Sequence, residues 1–159
     1  MKKKKGWGFR RTIIHISPFV IIIYSIIMKV WVNGTFDVLH IGHVRLLEYA
    51  SSLGSLRIGI DSDKRVKELK GEDRPFNTLQ DRIEMLLSLK YVNDVKSFDS
   101  REEMINLIKA WEPDYMIVGS DYKNKPVIGS EFTKNLLFFD RLEKHSTSKI
   151  LSYDSDNNR

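Results

Sequence analysis

From Val30 onward, runs of apolar residues about five long alternate with stretches whose apolar positions recur every three to four residues. The first period marks buried strands and the second amphipathic helices. Val30–Asn33 predicts a strand beginning at Lys29 or Val30. Gly42–Leu53 predicts a helix carrying Val44, Leu46, Leu47, Tyr49, Ala50 and Leu53 and ending at Gly54. Leu56–Ile60 reads as strand two, and Asp63–Leu69 as a short polar helix or loop ended by Gly71. Thr78 is a natural cap for a helix through Leu89, with Asp81 suiting its dipole. Val92–Phe98 follows as strand three. Arg101–Trp111 is a helix with Met104, Ile105, Leu107, Ile108 and Trp111 inward, stopped by Pro113. Tyr115–Val118 and Leu136–Phe139 complete five strands. A last short helix is expected from Ser146 or Thr147 through Leu151, before a polar tail from Asp154 to Arg159.

Strands alternating with helices imply a parallel sheet covered on both faces, an α/β, Rossmann-like three-layer sandwich of five strands in a single domain. In such sheets ligands sit beyond the carboxyl ends of the strands. Three polar clusters emerge there: Gly34–His43 after strand one, Asp61–Asp63 after strand two and Gly119–Tyr122 after strand four.

The first 27 residues break the pattern. They hold six basic residues and no acid, then an almost wholly apolar run from Thr12 to Met28. A signal peptide lacks its small-residue cleavage site here. A membrane anchor would need roughly 20 apolar residues and would leave no linker before strand one. The favoured expectation is an extension outside the fold, with the domain spanning residues 28–153. The leader also explains the formal charge of +5. Without it, 20 basic residues stand against 21 acidic ones, so the body is not a basic nucleic-acid binder. The chain has no Cys, which excludes disulfides, zinc-thiolate sites and a thiol nucleophile.

The chemistry concentrates in Val30-Trp31-Val32-Asn33-Gly34-Thr35-Phe36-Asp37-Val38-Leu39-His40-Ile41-Gly42-His43. Histidines three apart at a helix start lie on one face. A helix N-terminus offers backbone N–H groups and a positive dipole end to phosphate. Gly42 between the imidazoles would let a ligand approach the backbone. Together these predict a polyphosphate site. The plainer alternative is a strand-turn-helix with two incidental surface histidines.

The segment resembles the H-x-G-H signature of the nucleotidylyltransferase superfamily. The resemblance implies transfer of a nucleotide from ATP or CTP to a phosphorylated sugar or polyol, with release of pyrophosphate. His40 and His43 would be catalytic, and Gly34, Thr35, Phe36 and Gly42 would border the nucleotide. Lys67-Glu68-Leu69-Lys70-Gly71-Glu72-Asp73-Arg74-Pro75 resembles the mobile L-K-G-x-x-R-P loop of heptose-1-phosphate adenylyltransferases, as do Asp81-Arg82 and Gly119-Ser120-Asp121-Tyr122-Lys123. Lys70 would then be catalytic, Arg74 and Asp121 nucleotide-binding, and Lys67 substrate-binding. A flexible basic loop beside a glycine can close over a triphosphate, although its composition also suits a plain solvated loop. Arg141-Leu142-Glu143-Lys144-His145-Ser146-Thr147-Ser148-Lys149-Ile150 resembles the R-T-E-G-I-S-T-T-K-I segment of glycerol-3-phosphate cytidylyltransferases, with Lys144 in place of Gly and His145 in place of an aliphatic residue. It puts Arg141, Ser146 and Thr147 at the nucleotide. Asp37 and Asp63 would contact substrate, or else cap the turn and helix beside them. Val38, where several other branches carry Pro, points to the cytidylyltransferase and sugar-phosphate group. Mg²⁺ is expected on the triphosphate, held by no protein ligand of its own. The remaining expectations are a cytoplasmic enzyme, with a homodimer as its candidate assembly, without nucleic-acid or membrane partners. The alternatives are a membrane-tethered or non-catalytic nucleotide-binding module of the same fold.

Overall fold

The computed structural model describes residues 28–140. The leader, the segment with Arg141, Ser146 and Thr147, the expected last helix and the tail lie outside the described residues.

Five strands run β1 (Lys29–Gly34), β2 (Ser55–Asp61), β3 (Asp94–Phe98), β4 (Tyr115–Gly119) and β5 (Asn135–Phe139). Four α-helices intervene: α1 (Ile41–Leu53), α2 (Asp63–Lys70), α3 (Leu79–Leu87) and α4 (Arg101–Trp111). The sheet order is β3-β2-β1-β4-β5, and every pairing is parallel. This is the expected α/β Rossmann-like domain. The chain reverses direction across the sheet between β1 and β4, so the switch point lies beyond Gly34 and Gly119.

The two-residue period of β1 divides the core. Val30 and Val32 face one layer, with Leu47, Ala50, Leu56, Ile58, Ile60, Leu86 and Ile117. Trp31 faces the other, with Phe98, Met104, Ile108 and Met116. Gly59 makes room for the Trp31 ring, since a Cβ there would meet it at 2.3 Å.

The element boundaries shift in places for local reasons. The polar stretch after β2 is a helix, because the Ser62 hydroxyl accepts from Arg65 N–H and caps it. Helix α3 stops at Leu87 instead of Leu89, and β3 starts at Asp94 instead of Val92. Asn93 accounts for the later start. Its side chain accepts from Leu56 N–H at 2.8 Å while its own N–H donates to the Leu56 carbonyl, so it finishes the turn before pairing begins. Tyr49, one of the apolar positions of the helix expected over Gly42–Leu53, is exposed. No helix among the described residues is long and apolar enough to cross a membrane.

Candidate active site

The G-T-F-D turn follows β1 at the switch point. Phe36 takes a left-handed backbone, φ 47°, and drops its ring into the core at 4% exposure. The ring then backs His43, with centroids 5.1 Å apart. Phe36 was expected at the nucleotide. The turn directs its ring inward, where it supports the histidine.

His40 is the N-cap of α1. Its Nδ1 accepts from Gly42 N–H at 3.1 Å. A ring nitrogen that accepts carries no proton, so the neutral ring carries its proton on Nε2. His43 stacks on it, with centroids 3.9 Å apart and planes 24° apart. The His40 carbonyl accepts from the N–H groups of His43 and Val44. The N–H groups of Gly42, His43 and Val44 are therefore engaged by His40. The expected row of open amides at the helix end is thus narrowed, with Gly42 and His43 N–H of the first turn already bonded to His40. The space above Gly42 is also taken, since a Cβ there would meet the His40 ring at 2.9 Å. The missing side chain serves the imidazole.

Asp37 is buried. Its Oδ2 accepts from Arg74 Nε at 2.7 Å, and its Oδ1 accepts from the N–H groups of Phe76 and Asn77 at 2.8 and 2.9 Å. The Asn77 side chain also donates to the Asp37 carbonyl. Burial pushes the carboxyl up, but the bonds from Asn77, Phe76 and Arg74 outweigh it and hold the carboxyl below the usual range. Asp37 was expected to touch substrate or cap its own turn. In the structure both carboxylate oxygens bind a segment some forty residues away and not the N–H groups of its own turn. Arg74, expected at the nucleotide, is engaged by Asp37.

Lys70 is the final residue of α2 and not part of a loose loop, which corrects its expected setting. Partial desolvation, and next the nearby Arg74 guanidinium, pull its ammonium below the ordinary lysine range, with Asp61 and Asp37 opposing. Lys67 is exposed and lies 3.9 Å from Glu72. Asp63 was expected to contact substrate or cap the helix after it. Its Oδ1 binds Arg82 at 2.7 Å and its Oδ2 accepts from Leu79 N–H at 3.1 Å. Thr35 Oγ1 donates to Asp61 at 3.3 Å, and Arg65 Nε donates to the same carboxylate at 2.8 Å. Asp121 sits in the short helical turn that continues β4, exposed to solvent.

Asp61 and Arg82 stand in the polar cluster and the resemblance above without a role of their own, and Arg65 and Asn77 carry no signal there at all; the structure joins all four to the network. Arg82 is fully buried. Its signal was its place four residues before Leu86, on the inward stripe of α3.

Residues 31–151 match the family model described as Cytidylyltransferase-like, so the chain belongs to that family and is a nucleotidyltransferase. It is 40% identical over 153 residues to the bifunctional protein HldE of Campylobacter fetus, covering 96% of this chain and 33% of that one. It is 46% identical over 123 residues to the bifunctional protein HldE of Helicobacter hepaticus, covering 77% and 25%. The chain thus spans about a quarter to a third of these relatives. A lipopolysaccharide core biosynthesis protein from Thermoplasma volcanium shares the fold, with a TM-score of 0.57 and 21% identity over 72% of this chain and 97% of that one.

Proposed function

We propose that this enzyme joins a nucleoside triphosphate to a sugar or polyol phosphate, with ADP-heptose-type synthesis favoured over CDP-glycerol-type. The single observation that carries the transfer chemistry is the stacked His40–His43 pair at the sheet's switch point, with the His40 Nδ1 accepting from Gly42 N–H. The heptose preference rests on the resemblance of Lys67–Pro75 to heptose-1-phosphate adenylyltransferases and on the HldE relatives at 40% and 46% identity.

An oxygen of the acceptor phosphate attacks the α-phosphorus. A new P–O bond forms as the bond from that phosphorus to the β-phosphate oxygen breaks, and its electron pair leaves with pyrophosphate. The acceptor phosphate is already ionised near neutral pH, so no general base is required. The protein contributes positioning and charge stabilisation. His40 and His43 donate to phosphate oxygens, and the Lys70 ammonium neutralises charge as pyrophosphate departs. Mg²⁺ enters with the substrate as MgNTP. The carboxylates of Asp37, Asp61 and Asp63 are engaged by Arg74, Arg65 and Arg82, which supports an ion held by the triphosphate's own oxygens. Dependence on cytoplasmic nucleotide pools supports a cytoplasmic location.

The test is a panel of ATP, CTP and phosphorylated acceptors assayed by pyrophosphate release. Heptose 1-phosphate with ATP should be the best pair. His43→Ala should lower kcat by about 10²-fold or more, as for loss of one transition-state donor, with the fold intact. Release by no pair, or turnover unchanged in His43→Ala, would overturn the reading.

A further inference from the structure

Arg82 is the one guanidinium among the described residues with no exposed surface. It has a hydrophobic neighbour on its own helix face, Leu86, yet it makes three polar contacts. Nη1 donates to the Thr35 carbonyl at 2.7 Å and to the Asp61 carbonyl at 2.9 Å, and Nη2 binds Asp63 Oδ1 at 2.7 Å. Its Nε finds no partner among the described residues. A buried cation with one idle donor is expensive to maintain, and a well-packed apolar residue there would often be at least as stable. Stability alone is therefore a poor reason for an arginine at this place.

The three oxygens belong to three different structures. Thr35 is in the turn that leads to His40 and His43. Asp61 ends β2. Asp63 opens α2, the helix that ends in Lys70. The planar fork joins all three. A helix of eight residues is about 12 Å long, so a small rotation at Asp63 is magnified at Lys70. The far side of the same segment is tied independently, through Arg74, Phe76 and Asn77 to Asp37. Arg82 binds the near end, at Asp63.

We infer that Arg82 is a positioning residue for the transfer reaction: it sets the Lys70-bearing helix against the His40–His43 turn by bridging Thr35, Asp61 and Asp63. The inference rests on the nucleotidyl-transfer reading. Arg82 touches no substrate, and its effect on turnover passes through Lys70.

The test compares Arg82→Lys, Lys70→Ala and the double variant in the full chain. Lysine keeps the charge and loses the fork. Arg82→Lys should lower kcat by about tenfold or more, while the Kd of the nucleotide the enzyme turns over, measured calorimetrically, stays within about twofold. In the Lys70→Ala background the same change should lower kcat by less than about twofold, because residues acting as one unit are not additive. Full additivity would overturn the inference, as would a loss confined to nucleotide affinity. Amide exchange reads the clamp without any substrate. Exchange across residues 63–70 should rise in Arg82→Lys while that of α4 stays unchanged. A rise supports the clamp whatever the acceptor proves to be, and unchanged exchange overturns it. If Arg82→Lys does not fold, Asp63→Asn removes the charge from the partly exposed end of the same link. It should raise exchange over the same residues, and wild-type exchange with wild-type kcat would overturn the inference.

Discussion

His40 accepts a hydrogen bond from Gly42 N–H at 3.1 Å, and a Cβ on Gly42 would stand 2.9 Å from the same ring. The glycine and the histidine are one unit: the ring can turn back onto the helix start only because position 42 has no side chain. Gly42→Ala should therefore displace His40 and undo its stack on His43. The lost cap costs about 1 kcal/mol, and alanine in a helix regains about the same relative to glycine. Thermal stability should barely move while kcat falls by about tenfold or more. Thermal unfolding and steady-state kinetics on the same sample check this. Wild-type turnover would show that the His40 orientation is not needed.

Asp37 and Arg74 make the opposite case, in which stability and loop order should fall together. Arg74→Ala leaves the buried Asp37 carboxylate without its cation, at a cost of about 3 kcal/mol. The freed segment should be cut faster by trypsin after Lys70. The carboxyl's folded pKa lies below its ordinary 3.8. The tie is therefore fully present above that value and is lost as pH falls through the depressed one. Amide exchange over residues 71–77 should rise only in that acid window. In Asp37→Asn, which cannot titrate, the acid-dependent rise should vanish. An equal rise in both proteins would assign it to another group.

These two pairs mark what could be read from the chain and what could not. Strands and helices announce themselves locally. Arg101–Trp111 was legible to the residue, because the apolar positions recur at helical spacing and Pro113 stops it. The histidine pair was legible from its three-residue spacing at a helix start, although His40 is the extended N-cap and meets His43 by folding its ring back over Gly42. Asp37 with Arg74, and Arg82 with Thr35, Asp61 and Asp63, were not legible. Their partners lie 19 to 47 residues away, and only the sheet order brings them together. Charged residues around a glycine look like a mobile loop in any sequence. Here the Ser62 cap makes a helix of the first half, and Asp37 holds the second half from the far side.

Lys70 offers a prediction at the alkaline end. Desolvation first, and then the Arg74 charge, lower its pKa from the ordinary 10.5. Its ammonium is therefore lost at a lower pH than a free lysine's. The profile of kcat/KM reports the free enzyme, so it should bend down below the usual lysine range. The bound triphosphate favours the charged form, which should move the bend in kcat to higher pH. Removing Arg74 takes away the largest opposing charge, so Arg74→Ala should shift the kcat/KM bend upward as well. Lys70→Arg stays charged throughout and should lose the bend, while its kcat remains below wild type because a planar fork does not replace a point charge. The measurement is a pH–rate series on the wild type and both variants. If the bend persists unmoved in Lys70→Arg, the titrating group is another residue, and Lys70 does not carry the charge that meets the departing pyrophosphate.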